Sequence, residues 1–483
     1  MDIFEYTFGK DELLNICKGV YENINELKIN LYDGINFDTS FKEQQNKIQE
    51  NLMKIYGEKT FYKKDNNGKI DFNLGYNNSP KLSPNNKLIC WISMERDGYE
   101  SDIFRLCVFN FETKEKFYIT EGLETFISNF CWCADNKTIY LTAVENAVYQ
   151  IYKIDIESKK IEKITNEISN FNNLTFIDDG CLLATQCSML KPNDLYAINL
   201  KDKNIKQLTY LNKDTLGDIM TPKVEKRMVE TFDKKSMLCW VIYPPNFDKS
   251  KKYPTLLYCQ GGPQSAVSQF FSTRWNFFLM ASHGYIVIAP NRRGLPGFGR
   301  EWLEEISGDY YNCCMKDYLS AIDDICKESY VDKEKLGAVG ASFGGYSVYW
   351  LAGNHEKRFK AFISHAGMFN IEQFYYETEE MWFPNWDCGG APWVLKEGAK
   401  LKNYLHSPHL YIDKWDTPIL CIHGEKDYRI LHSQGESAFH VARLKNIPAK
   451  LLMFKDEGHW ILKPQNALIW QREFYAWLDK YLK

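Results

Sequence analysis

The second half of the sequence alternates short, continuous apolar runs with segments of helical periodicity. The runs occupy residues 255–259, 285–290, 335–341, 359–365, 418–424 and 449–454. Strands of this kind, separated by helices, indicate a parallel sheet with both faces covered. We therefore predict a doubly wound, mostly parallel α/β sheet over residues 216–483. In such a sheet, functional groups follow the carboxyl ends of the strands.

The first half carries an internal repeat instead. Three similar segments end at Thr120, Thr165 and Thr209, which places them 45 and 44 residues apart. Each contains a strand pattern, a polar turn and a second strand pattern, and a further strand pattern precedes it. A period of about 45 residues with four short strands per unit is typical of β-propeller blades.

The number of repeats predicts an incomplete propeller. A copy with only the last two strands of a blade opens the chain at residues 3–19, and residues 42–57 look helical or like an insertion. The total is about three and a half blades, whereas stand-alone propellers typically need about four to eight. We therefore predict an all-β partial β-propeller domain over residues 1–215, with about three to four blades. Loss of N-terminal blades is favoured over an unusual small propeller.

Charge and hydropathy exclude two classes of partner. Lys and Arg number 59 and Asp and Glu 63, for a net charge of −4, which excludes a broad basic surface for nucleic acid. No apolar run reaches the roughly 18 residues that span a bilayer, so no membrane partner is expected. The first residues are acidic where a signal peptide would be basic and then apolar. We expect a cytoplasmic protein for the sequence as written, and a periplasmic or secreted one if its N-terminus is truncated.

The 14 cysteines are irregularly spaced, and many lie within apolar runs. This pattern suits buried thiols in a reducing compartment. The close pairs, Cys131 with Cys133 and Cys313 with Cys314, have no second Cys or His pair at zinc-finger spacing. We therefore expect no zinc site. Since nothing else in the sequence signals a metal or an organic cofactor, we expect neither.

Residues 340–344 form the single G-x-S-x-G motif of the sequence, Gly340-Ala341-Ser342-Phe343-Gly344. An apolar strand pattern precedes it and a helical pattern follows it, which is the context of the nucleophile elbow in an α/β-hydrolase. The glycines suit a strained turn in which neighbouring side chains would clash. The alternative interpretation is a glycine-rich turn with an incidental serine.

The expected order of functional residues in this fold is serine, acid and histidine, each at the carboxyl end of a strand. Asp427 follows the strand that ends at Gly424 and is the predicted acid. Glu425 is nearer to the strand but is expected to point away. Asp413 and Asp416 precede this strand and would lie at its other end.

The histidine must come after the acid. His459 lies in the loop after the apolar run 449–454 and is the predicted base. His432 is too close in sequence to Asp427 to reach over the sheet, and His440 lies within a predicted helix. Three earlier histidines are interpreted as structural: His283, His365 and His423.

These three residues would form a catalytic triad. His459 would take the proton of Ser342 as the hydroxyl attacks, because a serine hydroxyl is a poor nucleophile near neutral pH. Asp427 would hold the imidazole in one tautomer and stabilise the imidazolium.

The oxyanion of an acyl-transfer reaction needs preorganised donors. One is the backbone N–H of Phe343, and the other is expected from Gly262 in the Gln260-Gly261-Gly262-Pro263 loop after the apolar run 255–259. The alternative for this loop is a hairpin turn, although a buried-strand pattern followed by a helix argues against it. The glycine-rich loop at 291–299 matches neither a dinucleotide nor a phosphate motif and is interpreted as a shaped loop near the site.

Five motifs in order resemble the prolyl oligopeptidase family of serine peptidases. They lie at residues 260–263, 291–299, 340–346, 423–429 and 457–460, and segments 93–100, 378–383 and 462–467 are most similar to a bacterial dipeptidyl-peptidase branch of that family. The resemblance implies a β-propeller paired with an α/β-hydrolase, and release of dipeptides from peptide N-termini with apolar or small cleavage-site residues. The sequence departs from the family pattern in showing no signal peptide and too few blades.

Two sets of residues are candidates for substrate binding. Trp382, Phe383 and Trp386 could wall an apolar pocket for the cleavage-site side chain, with core packing as the alternative. Glu95 and Glu100 are candidates to bind the cationic α-amino group of a peptide, with a solvated surface run as the alternative.

The predicted function is therefore a serine exopeptidase acting on peptide substrates through an acyl-enzyme. One alternative is an acylaminoacyl peptidase or esterase with the same triad, since fold does not choose between substrates. Another is a catalytically idle binding propeller. The sequence is compatible with a homo-oligomer.

Overall fold

A computed structural model of the chain describes residues 63–64, 70–71, 75–178, 180–395, 398 and 401–483. The half-blade predicted at 3–19 and the segment 42–57 lie outside these residues. The chain divides into two compact units, one of residues 1–74 with 109–117 and one of residues 75–108 with 118–483. In the smaller unit, β1 (Lys63–Lys64) and β2 (Ile70–Asp71) form an antiparallel pair.

Twelve strands in three groups of four follow along the chain. The first group is β3 (Asn77–Leu82), β4 (Leu88–Ser93), β5 (Arg105–Asn110) and β6 (Lys116–Tyr118). The second is β7 (Ile127–Trp132), β8 (Thr138–Glu145), β9 (Val148–Asp155) and β10 (Ile161–Lys163). The third is β11 (Asn170–Asp178), β12 (Cys181–Ser188), β13 (Lys191–Asn199) and β14 (Ile205–Gln207).

The second and third groups are antiparallel four-stranded sheets in which neighbours in sequence are neighbours in space. Their facing surfaces share one apolar core, which includes Ile151, Phe171, Leu182 and Ile198. Side chains along β12 alternate largely between buried and partly exposed, whereas β8 is buried along nearly its whole length. For the part of the first half that the structure describes, the predicted all-β fold is confirmed. Helix α1 (Lys213–Leu216) separates β14 from the strands that follow.

The second half contains one eight-stranded sheet. Its strands are β15 (Lys223–Glu230), β16 (Ser236–Tyr243), β17 (Tyr253–Cys259), β18 (Ile286–Pro290), β19 (Val331–Ala341), β20 (Ala361–His365), β21 (Ile419–Gly424) and β22 (Ala449–Phe454). Their order is β15-β16-β18-β17-β19-β20-β21-β22. The pairs β15–β16 and β16–β18 are antiparallel, and all later pairs are parallel. The predicted α/β-hydrolase fold, with a mostly parallel sheet, is confirmed.

Helices cover both faces of this sheet. They are α2 (Phe277–Ser282), α3 (Arg300–Glu304), α4 (Cys313–Ile325), α5 (Phe343–Asn354), α6 (Ile371–Glu377), α7 (Trp382–Asp387), α8 (Lys402–Leu405), α9 (His432–Leu444) and α10 (Pro464–Leu482), with a 3-10 helix at Pro408–Lys414. Tyr318, Tyr349 and Ala438 pack on one face, and Trp470 and Phe474 of α10 pack on the other. Within the described residues, no helix is both long and apolar enough to cross a bilayer.

The parallel register determines which loops meet at the carboxyl edge of the sheet. Cys259 at the end of β17 is level with Gly340 of β19, and Ala341 is level with His365 at the end of β20. Gly424 of β21 is level with Phe454 of β22. The segments that follow these strands therefore lie side by side at one edge, and they contain the predicted functional residues.

Candidate active site

Ser342 lies in a sharp turn between β19 and α5. Its backbone has φ 59° and ψ −124°, a region that costs a non-glycine residue energy. A Cβ at Gly344 would lie 2.1 Å from the carbonyl oxygen of Cys259, and one at Gly340 would lie 2.6 Å from that of Gly344. Only glycine at both positions lets the turn pack against the end of β17. The turn holds the serine above the sheet edge.

Asp427 lies in the loop after β21 and is buried, with 1% of its surface exposed. Its Oδ1 accepts hydrogen bonds of 3.0 Å from the backbone N–H groups of Arg429 and Ile430. Burial would raise the pKa of this carboxyl, but hydrogen bonds from His423 and His459 outweigh burial and lower the pKa below its usual range. Asp427 is therefore an anion fixed in one orientation.

His459 lies in the loop after β22, and its Nδ1 donates to Oδ2 of Asp427 at 2.7 Å. The side chain is 8% exposed. Burial lowers the pKa of His459, and the opposing effect of Asp427 does not restore the usual value. The ring is therefore neutral near pH 7, with a proton on Nδ1 and a free lone pair on Nε2. This is the state a general base requires.

His423, interpreted from the sequence as structural, also contacts the acid. Its Nε2 donates to the carbonyl oxygen of Ile430 at 2.7 Å and lies 3.4 Å from Oδ2 of Asp427. It is fully buried in β21 and does not line the cavity described next. His423 therefore contacts Asp427 from outside the cavity.

Ser342 and His459 line the same cavity, which has a volume of about 500 Å³. Its walls come from the loops after β17, β21 and β22, the turn at Ser342, the segments after β20 and around α7, and one loop of the first repeat. The remaining residues that line the cavity and matter below are Glu100, Gly262, Arg274, Phe343, Met368, Phe374, Glu380, Trp382, Phe383, Arg429 and Ile430. The register of the sheet brings these groups together.

Both predicted oxyanion donors belong to this cavity. Phe343 is the first residue of α5, where backbone N–H groups have no acceptor within the helix. Gly262 has φ +116°, and a Cβ there would lie 2.5 Å from the backbone nitrogen of Gln264. A Cβ at the adjacent Gly261 would lie 3.5 Å from Cβ of Ser342, so the loop backbone runs directly beside the serine. That these groups donate to an oxyanion stays a prediction.

Arg292 braces this loop, a role the sequence did not reveal. Its Nη2 donates to the carbonyl oxygens of Gln260 at 3.4 Å and Pro263 at 3.3 Å, and its Nη1 donates to that of Arg293 at 2.7 Å. The guanidinium carbon lies 4.7 Å from the ring centre of Phe343. One buried cation therefore ties the glycine loop to the start of α5. No spacing in the sequence distinguishes it from the neighbouring arginine.

Glu100 reaches the cavity on the loop 95–102 of the first repeat. Its Oε1 accepts hydrogen bonds from Tyr76 Oη at 3.2 Å and from Trp382 Nε1 at 3.3 Å. Arg96 on the same loop pairs with Glu304 of α3 at 2.6 Å. The loop is thus anchored on the catalytic half, and burial raises the pKa of Glu100.

Glu380 is a second cavity carboxylate that sequence reasoning missed. It accepts from Arg429 Nη2 at 2.9 Å. Burial raises the pKa of Glu380 to about 7; Arg429 opposes this rise, and the nearby charge of Glu100 adds to it. The segment 378–383 carries part of the family resemblance and contains the predicted pocket residues Trp382 and Phe383, but nothing in its sequence distinguishes Glu380 as a binding residue. Glu100 and Glu380 are thus two half-buried acids of the cavity whose charges interact.

Two predicted binding residues lie elsewhere, and these predictions are corrected. The side chain of Glu95 is 60% exposed and pairs with Arg105 at 2.8 Å, so it does not line the cavity. Trp386 packs against Tyr99 with ring centres 4.8 Å apart and donates to the carbonyl oxygen of Asp97. It therefore packs against the loop 95–102 and not toward Ser342. Trp382 and Phe383 do line the cavity.

The cavity also has an apolar part. Its side chains are Phe343, Met368, Phe374, Phe383 and Ile430, and each is buried. Three of them, Met368, Phe374 and Ile430, were not singled out from the sequence, because their common position depends on segments more than 50 residues apart. The cavity thus combines a nucleophile, an acidic region and an apolar region.

A strained serine after a central parallel strand, followed along the chain by a buried acid and a histidine bonded to it, is the arrangement of a serine-type α/β-hydrolase. Residues 271–483 match the model of the prolyl oligopeptidase family. This match lies within the second half of the chain and agrees with the resemblance that the sequence motifs carry.

Two similar curated relatives carry the same name. The chain is 50% identical to "Dipeptidyl-peptidase 5" of Porphyromonas gingivalis, over 85% of this chain and 60% of the relative. It is 52% identical to the protein of that name from Porphyromonas endodontalis, over 85% of this chain and 59% of the relative. The chain therefore spans about three fifths of the length of these relatives.

Solved structures share the fold at lower identity. The acylaminoacyl peptidase of Pyrococcus horikoshii superposes with a TM-score of 0.73 at 21% identity, covering 82% of this chain and 62% of that one. Dipeptidyl peptidase 4 of Porphyromonas gingivalis gives 0.68 at 19% identity, covering 86% and 58%. These likenesses support the architecture and do not choose between the two activities.

Proposed function

We propose that the chain is a serine exopeptidase that releases dipeptides from peptides with a free N-terminus. The observation that carries this proposal is the presence of two half-buried carboxylates, Glu100 and Glu380, in the same cavity as Ser342 and His459. The names of the relatives at 50% and 52% identity agree with it.

The chemistry follows from the geometry of the triad. Ser342 attacks the scissile carbonyl while His459 Nε2 accepts its proton, and Asp427 stabilises the imidazolium that forms. The backbone N–H groups of Phe343 and Gly262 hold the oxyanion. His459 then gives the proton to the leaving amine, and a water molecule, deprotonated by the same histidine, hydrolyses the acyl-enzyme.

The acidic region accounts for the requirement for a free N-terminus. An α-ammonium group is cationic near neutral pH, since its pKa is about 7.7–8.0. Glu100 and Glu380 adjoin one cation of the cavity, Arg429, whereas the second arginine, Arg274, lies beside His459. At their end of the cavity, two carboxylates therefore face one positive charge before substrate binds. A bound ammonium group balances the net charge of the two carboxylates and Arg429, and it favours ionisation of both acids. An acylated N-terminus supplies no charge and leaves them uncompensated.

The size and the apolar part of the cavity account for the rest of the specificity. A volume of about 500 Å³ is that of a pocket for a small ligand and holds a dipeptidyl group. Phe374, Phe383 and Met368 suit an apolar side chain at the cleavage position. We therefore expect apolar or small residues there.

Removing either carboxylate should change the preference for a free amine. Glu380→Gln and Glu100→Gln are each expected to lower kcat/KM for a free dipeptidyl anilide by roughly 10- to 150-fold, the value of a charge-assisted hydrogen bond of about 1.5–3 kcal/mol. The N-acetylated substrate should not lose activity. The measurement is the ratio of kcat/KM for the two substrates.

Glu95→Gln is the matched control, since Glu95 is on the same loop as Glu100 but outside the cavity. It should leave the ratio as in the parent chain. An unchanged ratio in both cavity variants would contradict an amine site at these residues. Faster turnover of the acylated substrate by the parent chain would indicate an acylaminoacyl peptidase instead.

The pH dependence of kcat/KM should also show the role of Glu380. Glu380, with a pKa raised to about 7, loses its charge as pH falls through that value, so binding of a free amine weakens below it. His459, with a lowered pKa, becomes protonated only below its usual value of 6.5. We expect kcat/KM for the free substrate to fall on the acid side with an inflection near pH 7.

In the Glu380→Gln variant, the fall of kcat/KM on the acid side should move below pH 6.5, because protonation of His459 alone then controls it. Plots of kcat/KM against pH for the two proteins make the comparison. Identical acid limbs would show that Glu380 does not titrate in the step that captures substrate.

A further inference from the structure

The cavity contains a cation that no part of the proposed reaction uses. Two arginines line it, Arg274 and Arg429. Arg429 is paired with Glu380 at 2.9 Å. Among the residues the structure describes, no carboxylate lies within ion-pair distance of Arg274, whose guanidinium makes a single hydrogen bond, from Nη1 to the carbonyl oxygen of His459 at 3.5 Å. Most of its donors therefore have no acceptor in the protein.

The backbone around Arg274 holds it firmly in place. Its N–H donates to Ser272 Oγ at 3.2 Å, and its carbonyl oxygen accepts from Gln471 of α10 at 3.0 Å. The adjacent Trp275 is buried and packs edge-on against Trp470, with ring centres 5.2 Å apart. Burial lowers the pKa of Arg274 to about 10, which still leaves it a cation at neutral pH. A fixed, partly desolvated cation with spare donors is a site for an anionic oxygen.

The contact with His459 indicates which end of a substrate binds to Arg274. His459 must pass its proton to the nitrogen of the leaving peptide, so the leaving peptide lies beside the histidine. Arg274 touches the backbone of that histidine. The acids that would hold the N-terminus instead adjoin Trp382 and Arg429. The two charged regions thus suit the two ends of a short peptide.

We propose that Arg274 binds the terminal carboxylate of a short leaving fragment. This inference rests on the proposed function. It implies that the chain favours short peptides, whose amino group binds to the acidic region and whose terminal carboxylate binds to Arg274. Long peptides remain substrates but do not gain this contact.

The experiment compares peptides that differ only at the C-terminus. Gly-Phe-Ala, Gly-Phe-Ala-Ala and Gly-Phe-Ala-Ala-Ala are each supplied as the free acid and as the amide, and release of Gly-Phe is followed. In the parent chain, kcat/KM for the acid should exceed that for the amide by about tenfold or more at one of these lengths. Arg274→Gln should bring that ratio close to one, and Arg274→Lys should keep part of it.

Arg472→Gln is the control for loss of a positive charge elsewhere, since this side chain is 71% exposed. It should keep the parent ratio. Labelling of Ser342 by a fluorophosphonate counts folded sites in each variant, and a folding defect would lower the acid and amide rates together. Equal acid-to-amide ratios in the parent and in Arg274→Gln would overturn the inference. Failure of the parent to release Gly-Phe from any peptide would instead overturn the proposed function.

Discussion

Replacing Ser342 by alanine should lower kcat for a free dipeptidyl anilide by about a million-fold. The variant keeps the cavity and its charges but has no oxygen to form the acyl-enzyme. The residual rate would come from substrate binding and from the donors of Phe343 and Gly262. Initial rates at saturating substrate, with enzyme concentration raised to detect the residual activity, give the ratio directly.

Ser250→Ala is the control for this substitution, since Ser250 lies on an exposed turn where its hydroxyl donates to Asp248. It should keep parent activity. A fluorophosphonate should label the parent chain at Ser342, with the peptide identified by mass spectrometry, and should not label Ser342→Ala. Activity of Ser342→Ala within tenfold of the parent would mean that another nucleophile acts. Failure of the folded parent to be labelled would favour a non-enzymatic binding protein.

Asp427→Asn should lower kcat by about ten thousand-fold. In the parent, Oδ2 of Asp427 accepts the proton on Nδ1 of His459 at 2.7 Å, which leaves Nε2 as the acceptor for the serine proton. An asparagine amide would donate to Nδ1 and so move the ring proton to Nε2, where it blocks proton transfer. The side chain stays the same size, so the backbone donors of Arg429 and Ile430 can keep the residue in place.

Glu425→Gln separates this effect from a general loss of negative charge near the site. Glu425 is the neighbouring acid, is exposed, and does not line the cavity. Its variant should stay within about threefold of the parent, as expected for a surface change. The opposite ranking, with Glu425→Gln inactive and Asp427→Asn active, would transfer the role of the acid to Glu425.

The positions of the three predicted triad residues could be predicted from the sequence because each residue follows an apolar strand. In a parallel sheet the carboxyl ends of all such strands meet at one edge, so chain order and strand position together reduce the candidates to Ser342, Asp427 and His459. Local rules also explain the strained turn, since only glycine fits at Gly340 and Gly344. These inferences need no knowledge of how distant segments pack.

The binding residues could not be predicted in the same way. Glu95 and Glu100 lie on one loop, and the sequence favoured neither; contacts of Arg96 with Glu304 and of Trp382 with Glu100 decide which one reaches the cavity. Glu380 and Arg274 became candidates only when the sheet placed their loops beside the serine. Side-chain direction in a long loop depends on tertiary contacts that no local periodicity encodes.

One measurement tests the central claim most directly. The parent chain is incubated with the hexapeptide Gly-Phe-Ala-Ala-Gly-Phe and with its N-acetylated form, and the products are followed by mass spectrometry over time. We predict stepwise loss of dipeptides from the free peptide, beginning with Gly-Phe, while the acetylated peptide stays intact. Cleavage of the acetylated peptide at a similar rate, or release of single residues, would contradict the account.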